Sequence, residues 1–259
     1  MIVFGNIYLL SYILPDMKLT TTIGTLKEII DIINSITGEA KFEFESDGIH
    51  VRAIDSARVA MADLFVSNSV FENYEVSEKT DIPLELERVK NVLKLGGNSE
   101  IINIVNAPGK LKFTLGNLSK SIALLEYGNM TAPKLPSVNP ENYVVVSKSE
   151  IEKGLKATTD VRDSVRLSIE DSRFVISSKT ESEDAELILD RENCVELVSR
   201  GGSKSSYPSD YLMRIIKSTG SAEKLKLSFN NDYPLIIEPE YVEKEGEKKV
   251  KFFLAPRME

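Results

Sequence analysis

The sequence is poor in sulfur and imidazole, with one cysteine, Cys194, and one histidine, His50, among 259 residues. A single cysteine excludes an intramolecular disulfide framework, and the two residues offer too few ligands for a Cys/His zinc site. This usage favours a reducing, intracellular setting. We therefore expect neither a bound metal nor a cofactor.

A long hydrophobic run is also missing. The apolar opening "MIVFGNIYLLSYILPD" is too short to span a bilayer, has no basic residues before it and lacks a small-residue cleavage site. We interpret residues 1–16 as a leader that precedes the start of the fold at Met17. A membrane-touching tail and a partner-binding tail are the alternatives for this segment, and nothing after it predicts a membrane span.

Signatures of catalysis are absent as well. The sequence contains no phosphate-binding glycine loop, no nucleophile elbow and no metal-ligand spacing. His50 and Cys194 both lie in strand-like segments, which favours structural roles for them. An enzyme would require a cleft that brings His50 together with the acidic residues Glu181, Glu183 and Asp184. That is the alternative from another functional class, and we predict a protein that is not an enzyme.

Basic residues are outnumbered, because 32 Lys and Arg stand against 40 Asp and Glu and leave a formal net charge of −8 at pH 7. Duplex DNA is bound largely through Lys and Arg that neutralise phosphates, so the total charge argues at first against a nucleic-acid partner. The hydrophobic fraction of 42% and the charged fraction of 28% are typical of a folded globular protein. The length suits one large domain or two domains of about 125 residues.

The order of predicted elements repeats along the chain. A strand from Met17 is followed by a helix, a meander of strands, a second helix and three more strands, and the order returns after a stretch rich in proline and asparagine. The pattern predicts an α+β fold of two pseudo-equivalent domains. Their bounds are residues 17–127 and 142–259, joined by an extended connector over residues 128–141.

Each of the four predicted helices, of which "TLKEIIDIINSIT" is the first, exposes basic residues once its apolar stripe is buried on a sheet. On one helix these are ordinary solvated side chains, and Glu28 and Glu87 show that the faces also carry acidic groups. Equivalent helices of a duplicated chain would however face the same way and gather positive charge, which is typical of sequence-independent binding to a nucleic-acid backbone. The basic positions are Lys27, Arg88, Lys90, Lys94, Lys153, Lys156, Arg214 and Lys217.

Three stretches of the sequence carry a recognisable combination of motifs. The segment "DGIHVRAIDSARVAMADL" has a glycine turn, an alternating strand and an Ile-Asp-Ser turn, the second helix ends in "LKLGG", and the chain closes with "NDYPLIIE" and "KFFLAPR". Together with the repeated order of elements over residues 17–259, this combination resembles the sliding clamps of the proliferating cell nuclear antigen (PCNA) family, particularly the archaeal ones.

The resemblance implies a fold and a function. Each half would be a β-α-β-β-β-α-β-β-β clamp domain, and three chains would close into a toroidal ring of six domains with the helices around the hole and the sheets outside. The implied function is that of a DNA polymerase sliding clamp, a processivity factor that encircles duplex DNA and tethers replication and repair enzymes, on DNA in the archaeal cytoplasm. One subunit of an obligate heterotrimeric archaeal ring is the alternative within the family.

The resemblance also implies that the basic helix faces look inward to the phosphates of double-stranded DNA, which is bound without regard to its sequence. Two positions on the first helix depart from the family pattern, because Glu28 and Asn34 stand where basic residues are common. We therefore expect a lining that is less evenly basic on this helix than on the others.

The partners implied by the resemblance are DNA polymerase, the clamp loader, flap endonuclease and DNA ligase, each docking through a short motif that ends in aromatic residues. In clamps these motifs enter an apolar pocket beside the connector and the C-terminal turn. Ordinary core packing is the alternative for Ile54 and Val59, and Arg58, where eukaryotic relatives often have histidine, identifies no partner. The matching pocket positions are Ile54, Val59, Met61, Leu135, Pro136, Pro234, Phe253, Ala255 and Pro256.

Ring closure in clamps uses strand-to-strand addition between chains. The resemblance assigns the matching edges to residues 119–124 of one chain and 183–189 of the next. The implied interface residues are Ser119, Ile122, Leu124, Glu183, Leu187 and Leu189.

Overall fold

The computed structural model describes residues 16–126, 132–241 and 247–257. The predicted leader, apart from Asp16, and residues 128–131 of the predicted connector lie outside the described residues. Within the described ranges the chain forms eighteen β-strands, four α-helices and two short 3-10 turns. None of the helices in this part of the chain is long and apolar enough to cross a membrane.

In the first half, two helices interrupt nine strands, and a 3-10 turn at Asn68–Val70 follows the fourth strand. The bounds are β1 Met17–Thr22, α1 Ile23–Asn34, β2 Glu39–Glu45, β3 Gly48–Ile54, β4 Ala60–Ser67, β5 Asn73–Val76, β6 Thr80–Glu85, α2 Leu86–Leu93, β7 Ile101–Ala107, β8 Lys110–Leu115 and β9 Leu118–Ala123.

The second half repeats this order, with a 3-10 turn at Arg191–Asn193 in the corresponding place. The bounds are β10 Tyr143–Ser147, α3 Lys148–Thr158, β11 Ser164–Ile169, β12 Arg173–Lys179, β13 Asp184–Asp190, β14 Glu196–Val198, β15 Ser203–Pro208, α4 Ser209–Ser218, β16 Ala222–Ser228, β17 Leu235–Tyr241 and β18 Lys248–Leu254.

Each half contains two more strands than the predicted unit, which had one meander between its helices. In the first half the additional strands are β5 and β6. Their sequence signal is weak because β5 has only four residues and β6 contains Pro83, a residue that interrupts a strand pattern. Pro83 is tolerated because β6 is the last strand of its sheet and needs a partner on one side only.

The strands form three antiparallel sheets. The first sheet has the order β5-β1-β7-β8-β9, the middle sheet β14-β10-β16-β17-β18-β4-β3-β2-β6, and the third sheet β13-β12-β11-β15. The middle sheet runs through both halves because β18 pairs with β4, from Lys248 opposite Val66 to Leu254 opposite Ala60. The apolar C-terminal strand therefore fuses the two halves of the chain instead of fraying.

The helices bury their apolar faces on these sheets and touch one another. α1 begins after Thr22, whose Oγ1 accepts a hydrogen bond from the backbone N of Thr25 at 3.1 Å and so caps the first turn. Contacts join α1 to α2, α3 to α4, and α1 to α4, so the helices follow one another in the order α2-α1-α4-α3. We call these four helices the helix layer.

A polar clasp joins α1 to the second half. Glu28 Oε2 lies 2.6 Å from Lys248 Nζ, and Glu28 Oε1 accepts hydrogen bonds from the backbone N and the Oγ of Ser221 at 3.0 and 2.7 Å. Burial would raise the pKa of Glu28, but the hydrogen bonds from Lys248 and Ser221 outweigh it and hold the pKa below its usual value. Glu28, the acidic residue that departs from the family pattern, thus stabilises the contact between the two halves.

We expect Glu28→Gln to lower the free energy of unfolding by about 2 kcal/mol at neutral pH, because it leaves the mostly buried Lys248 ammonium without a counter-charge. Since the pKa of Glu28 is depressed in the folded state, its contribution is present above the unfolded pKa and is lost as the pH falls through the folded pKa. Denaturant unfolding at neutral pH and at about pH 3 should therefore show a difference from the wild type that shrinks in acid.

The control for this variant is Asp31→Asn, which breaks the more exposed Lys27–Asp31 pair on the same helix. Such pairs contribute only about 0.3–0.5 kcal/mol. If Glu28→Gln lowers the free energy of unfolding no more than this control does, or lowers it equally at neutral pH and in acid, the assignment of the clasp is wrong.

Candidate functional site

All eight predicted basic positions lie in the helix layer, seven within the helices and Lys94 at the C-terminal cap of α2. Seven are exposed, and Lys90 is half-buried. Every helix therefore presents at least one basic side chain to solvent. By helix, these are Lys27 on α1, Arg88, Lys90 and Lys94 on α2, Lys153 and Lys156 on α3, and Arg214 and Lys217 on α4.

Nearby carboxylates partly neutralise this positive charge. In the described part of the chain only Lys156 and Lys217, of the eight, form no ion pair with a carboxylate. Exposed pairs of this kind contribute at most about 1 kcal/mol, so an anionic partner can displace the carboxylates. The nitrogen–oxygen distances are 2.5 Å for Lys27–Asp31, 2.5 Å for Arg88–Glu85, 3.8 Å for Lys90–Glu87, 3.4 Å for Lys94–Glu87, 3.9 Å for Lys153–Glu150 and 3.9 Å for Arg214–Asp210.

An apolar groove of about 610 Å³ lies between the connector and the middle sheet, and we call it the connector groove. The connector contributes Leu135, Pro136 and Val138, and strands β17 and β18 contribute Ile236 and Phe253. Phe253 is 7% exposed, whereas Leu135 is 41% exposed. The groove thus combines a buried aromatic ring with an apolar side chain that is open to solvent.

Met61 belongs to the packing beneath this groove, because it forms a small buried cluster with Ile236 and Phe253, on which Val138 packs. The pairing of β18 with both neighbours brings these residues together, since Phe253 lies opposite Met61 on one side and Ile236 on the other. Charged side chains border the apolar surface, and one pair, Lys251–Glu238, has a nitrogen–oxygen distance of 3.0 Å.

The other predicted pocket residues do not line this groove. Ile54 is exposed and lines a second cavity of about 140 Å³ that also includes Ala132 and Pro133 of the connector. Val59 packs against the main core, and its carbonyl accepts a hydrogen bond from the backbone N of Ala255 at 2.8 Å. Pro234 and Pro256 are half-buried, like Val59 and Ala255.

Five apolar residues that line the groove were not predicted from the sequence: Phe65, Val138, Ile236, Pro239 and Val250. Alternation along β17 predicts which face Ile236 lies on, but the pairing of β17 with β18 decides which side chains it meets. That pairing is a long-range property, and no local sequence signal contains it.

A carboxylate organises the loop that follows β3. Asp55 Oδ1 accepts hydrogen bonds from the backbone N of Val59 and of Ala60, both at 2.7 Å, and Oδ2 accepts one from Ala57 N at 3.1 Å. Arg58 sits inside this loop with φ 57°, a left-handed conformation that few side chains adopt. We call residues 55–60 the Asp55 loop.

The two predicted edges are outer strands of their sheets. Among the described residues, β9 pairs only with β8 at the end of the first sheet, and β13 pairs only with β12 at the end of the third. Ser119 and Ile122 lie in β9, Leu187 and Leu189 lie in β13, and Leu124 and Glu183 lie one residue beyond these strands. Exposed Leu118 and Ile188 give each edge a large apolar side chain, at 46% and 45% exposure.

These edges carry opposite charge. Around β13 the exposed acidic residues are Glu183, Asp184, Glu186 and Asp190, whereas the exposed charged residues of β8 and β9 are Lys110, Lys112 and Lys120. An acidic edge and a basic edge favour each other and disfavour pairing with their own kind. The acidic run noticed in the sequence therefore borders an open edge.

The residues named for the enzyme alternative do not come together. His50, Glu45 and Asp47 form a cluster of possible metal ligands, in which the Asp47 carboxylate lies 3.2 Å from His50 Nε2. Among the described residues, this cluster contains none of the acidic run Glu181, Glu183 and Asp184. The His50 ring packs on Phe65 with 4.7 Å between ring centroids. Burial raises the pKa of the Cys194 thiol, as suits a packing residue.

Comparison with known proteins assigns the chain to one family. The family model described as "Proliferating cell nuclear antigen, N-terminal domain" matches residues 16–124. The DNA polymerase sliding clamp of Thermoplasma volcanium is 39% identical over 245 residues, which cover 94% of this chain and 99% of that relative. The DNA polymerase sliding clamp of Picrophilus torridus is 38% identical over 242 residues, covering 93% and 99%.

A solved structure agrees with these relatives. The PCNA of A. fulgidus, bound to the C-terminal region of FEN-1, superimposes with a TM-score of 0.85 at 26% identity and covers 94% of this chain and 99% of that chain. The predicted resemblance and the predicted clamp fold are thereby confirmed.

Proposed function

We propose, since the chain belongs to the PCNA family of sliding clamps, that it is a DNA polymerase sliding clamp, which encircles duplex DNA as a ring and tethers replication and repair enzymes. The observation that carries this proposal is the helix layer, where exposed basic side chains from all four helices are gathered on a protein whose net charge is −8. We further propose that it is not an enzyme and acts inside the cell on DNA, through one clamp domain at residues 17–127, a connector at 128–141 and a second domain at 142–259.

The charge pattern of the helix layer suits sliding better than tight binding. Six of its eight cations are balanced by nearby carboxylates, so a phosphate contact at those six replaces a weak local pair and adds little free energy. Contacts to phosphates also carry no base information. Many weak, equivalent contacts allow the duplex to move through the ring, while the acidic remainder of the protein repels other DNA.

Reversing four charges of the helix layer, Lys153, Lys156, Arg214 and Lys217, to Glu should lower clamp-dependent stimulation of DNA polymerase at least about tenfold, because phosphates then meet carboxylates. Each site is exposed on a helix, so each change should alter stability by only about 0.5 kcal/mol. Primer extension on a long template, with ring assembly checked by light scattering, makes the measurement. The matched control reverses four basic residues outside the helices: Lys18, Arg200, Lys204 and Lys224.

Equal stimulation by the helix-layer variant and the wild type would refute the proposal that this layer faces DNA. Equal losses in both variants would instead point to a general effect of added negative charge.

We propose that the ring closes by pairing β9 of one chain with β13 of the next. The opposite charges around these two edges support closure by copies of this same chain, hence a homotrimer. Light scattering of the purified protein should then give three times the 28.9 kDa mass of one chain. A monomer or dimer would favour the alternative, one subunit of a heterotrimeric ring.

We propose that clients dock in the connector groove and along the C-terminal turn beside it. The clients are DNA polymerase, the clamp loader, flap endonuclease and DNA ligase, each through a glutamine-led peptide motif that ends in a hydrophobic residue and an aromatic pair, called the client peptide below. The apolar groove of about 610 Å³ supports this proposal because it has room for large aromatic side chains. The FEN-1 region bound to the A. fulgidus PCNA supports it as well.

A further inference from the structure

A hydrogen bond connects the helix layer to the Asp55 loop. Tyr211 on α4 donates its hydroxyl to Asp55 Oδ2 at 2.8 Å, across 156 residues of sequence. The same carboxylate holds the backbone N of Ala57, Val59 and Ala60. A single side chain from the helix layer thus reaches the residue that organises this loop.

The chemistry of the pair fixes the direction of the bond. Asp55 is 6% exposed. Burial would raise its pKa, but the hydrogen bonds from Ala60, Tyr211, Val59 and Ala57 outweigh it and hold the pKa below its usual value. The hydrogen bond to Asp55 raises the pKa of Tyr211. The phenol therefore keeps its proton and donates a hydrogen bond to the ionised carboxylate.

The Asp55 loop in turn lies against the predicted pocket. It begins after Ile54, and Val59 O accepts the hydrogen bond from Ala255 N, so the loop is tied to the C-terminal turn. On the other side of Tyr211, the Arg214 guanidinium carbon lies 4.5 Å from the centroid of the tyrosine ring. A continuous series of contacts thus runs from an exposed basic residue of the helix layer through Tyr211 to the C-terminal turn.

We propose that Tyr211 is a positioning residue that holds the Asp55 loop in the shape that client peptides require, and that it transmits changes at Arg214 to client affinity. This inference rests on the proposed function of the groove and the C-terminal turn. The helix layer would then have a second function, because contacts at Arg214 also set the geometry of the Asp55 loop beside the C-terminal turn.

The test measures client-peptide affinity by calorimetry on the full-length ring. Tyr211→Phe removes one hydroxyl and keeps the ring, and we expect it to weaken peptide binding about fivefold. The matched control is Tyr143→Phe, which also removes a tyrosine hydroxyl bonded to a carboxylate, that of Glu196, on strand β10, which β16 separates from the groove strand β17. Both variants should keep the ring and melt at similar temperatures, so only a positioning role predicts that they differ in peptide affinity.

A second pair of variants tests transmission from Arg214. Arg214→Gln removes the cation over the ring and should weaken peptide binding about twofold in the wild type. In the Tyr211→Phe background it should have no further effect, because the bond that transmits the change is already absent.

The outcomes separate this inference from the proposed function. Wild-type affinity in Tyr211→Phe, or an Arg214→Gln effect of the same size in both backgrounds, would overturn the inference and leave client docking intact. No peptide binding by the wild-type ring would overturn the proposed docking site, and the inference with it.

Discussion

Proline at position 187 or 188 should dissociate the ring into single chains. Both Leu187 and Ile188 lie in β13, an edge strand with a partner on one side only. Backbone amides alternate in direction along a strand, so one of the two points to the open side, where the proposed neighbour would pair. Proline there removes a ladder donor.

The expected effect is large because it is repeated at every interface of the ring. Losing a backbone hydrogen bond at a buried interface costs about 1–3 kcal/mol, and a closed ring of three chains would contain three such interfaces. Light scattering should therefore report single chains at concentrations at which the wild type is a ring. The matched control is Glu75→Pro in β5, an outer strand of the first sheet that has no proposed neighbour.

Ile188 adds an independent check, because its side chain is 45% exposed on the open strand. Ile188→Lys keeps every backbone donor and places a charge where an apolar contact is proposed, so it too should weaken the ring. Assembly that survives both prolines and this lysine would show that another edge closes the ring.

Local sequence patterns predicted the helices well and their ends less well. The first helix was predicted over residues 25–37, but it spans Ile23–Asn34 because Thr22 caps its first turn, and the Ser35 hydroxyl donates to Ile32 O just beyond its end. Apolar spacing identifies the face that a helix buries, whereas side-chain hydrogen bonds decide where it begins and ends.

Strands without apolar alternation were missed for a different reason. The strand β15 is rich in serine, and its place in the fold depends on Tyr207, which is fully buried and donates its hydroxyl to Tyr233 O at 2.7 Å. The edge status of β9 and β13 likewise depends on which strands pair across the fold. The resemblance to clamps supplied those edges, and local sequence could not.

The candidate site, like the fold, was predicted only in part from the sequence. Leu135, Pro136 and Phe253 were predicted by resemblance, and the structure brings them together in one groove. The contact between Asp55 and Tyr211 lies beyond any sequence pattern, because it joins residues 156 positions apart in different halves.

Truncating two groove side chains, in the double variant Leu135→Ala and Phe253→Ala, should abolish client-peptide binding. Removing one aromatic or aliphatic anchor from a desolvated pocket costs about 2 kcal/mol or more, so the two together should weaken the affinity at least about a hundredfold. Calorimetric titration with the client peptide measures the change. Ring assembly should persist, because the groove is on the middle sheet whereas the closing edges belong to the first and third sheets.

A less stable fold is the competing explanation for lost peptide binding in the double variant, since Phe253 is 7% exposed and packs on Met61 and Ile236. Leu135→Ala alone avoids it, because that side chain is 41% exposed and its removal leaves the cluster intact. The matched control is Leu95→Ala, an apolar side chain that is 49% exposed after α2, outside the groove. If Leu135→Ala weakens binding while Leu95→Ala does not, the groove itself carries the affinity. Wild-type affinity in the double variant would mean that clients dock elsewhere and that the apolar C-terminal strand serves only to join the two halves.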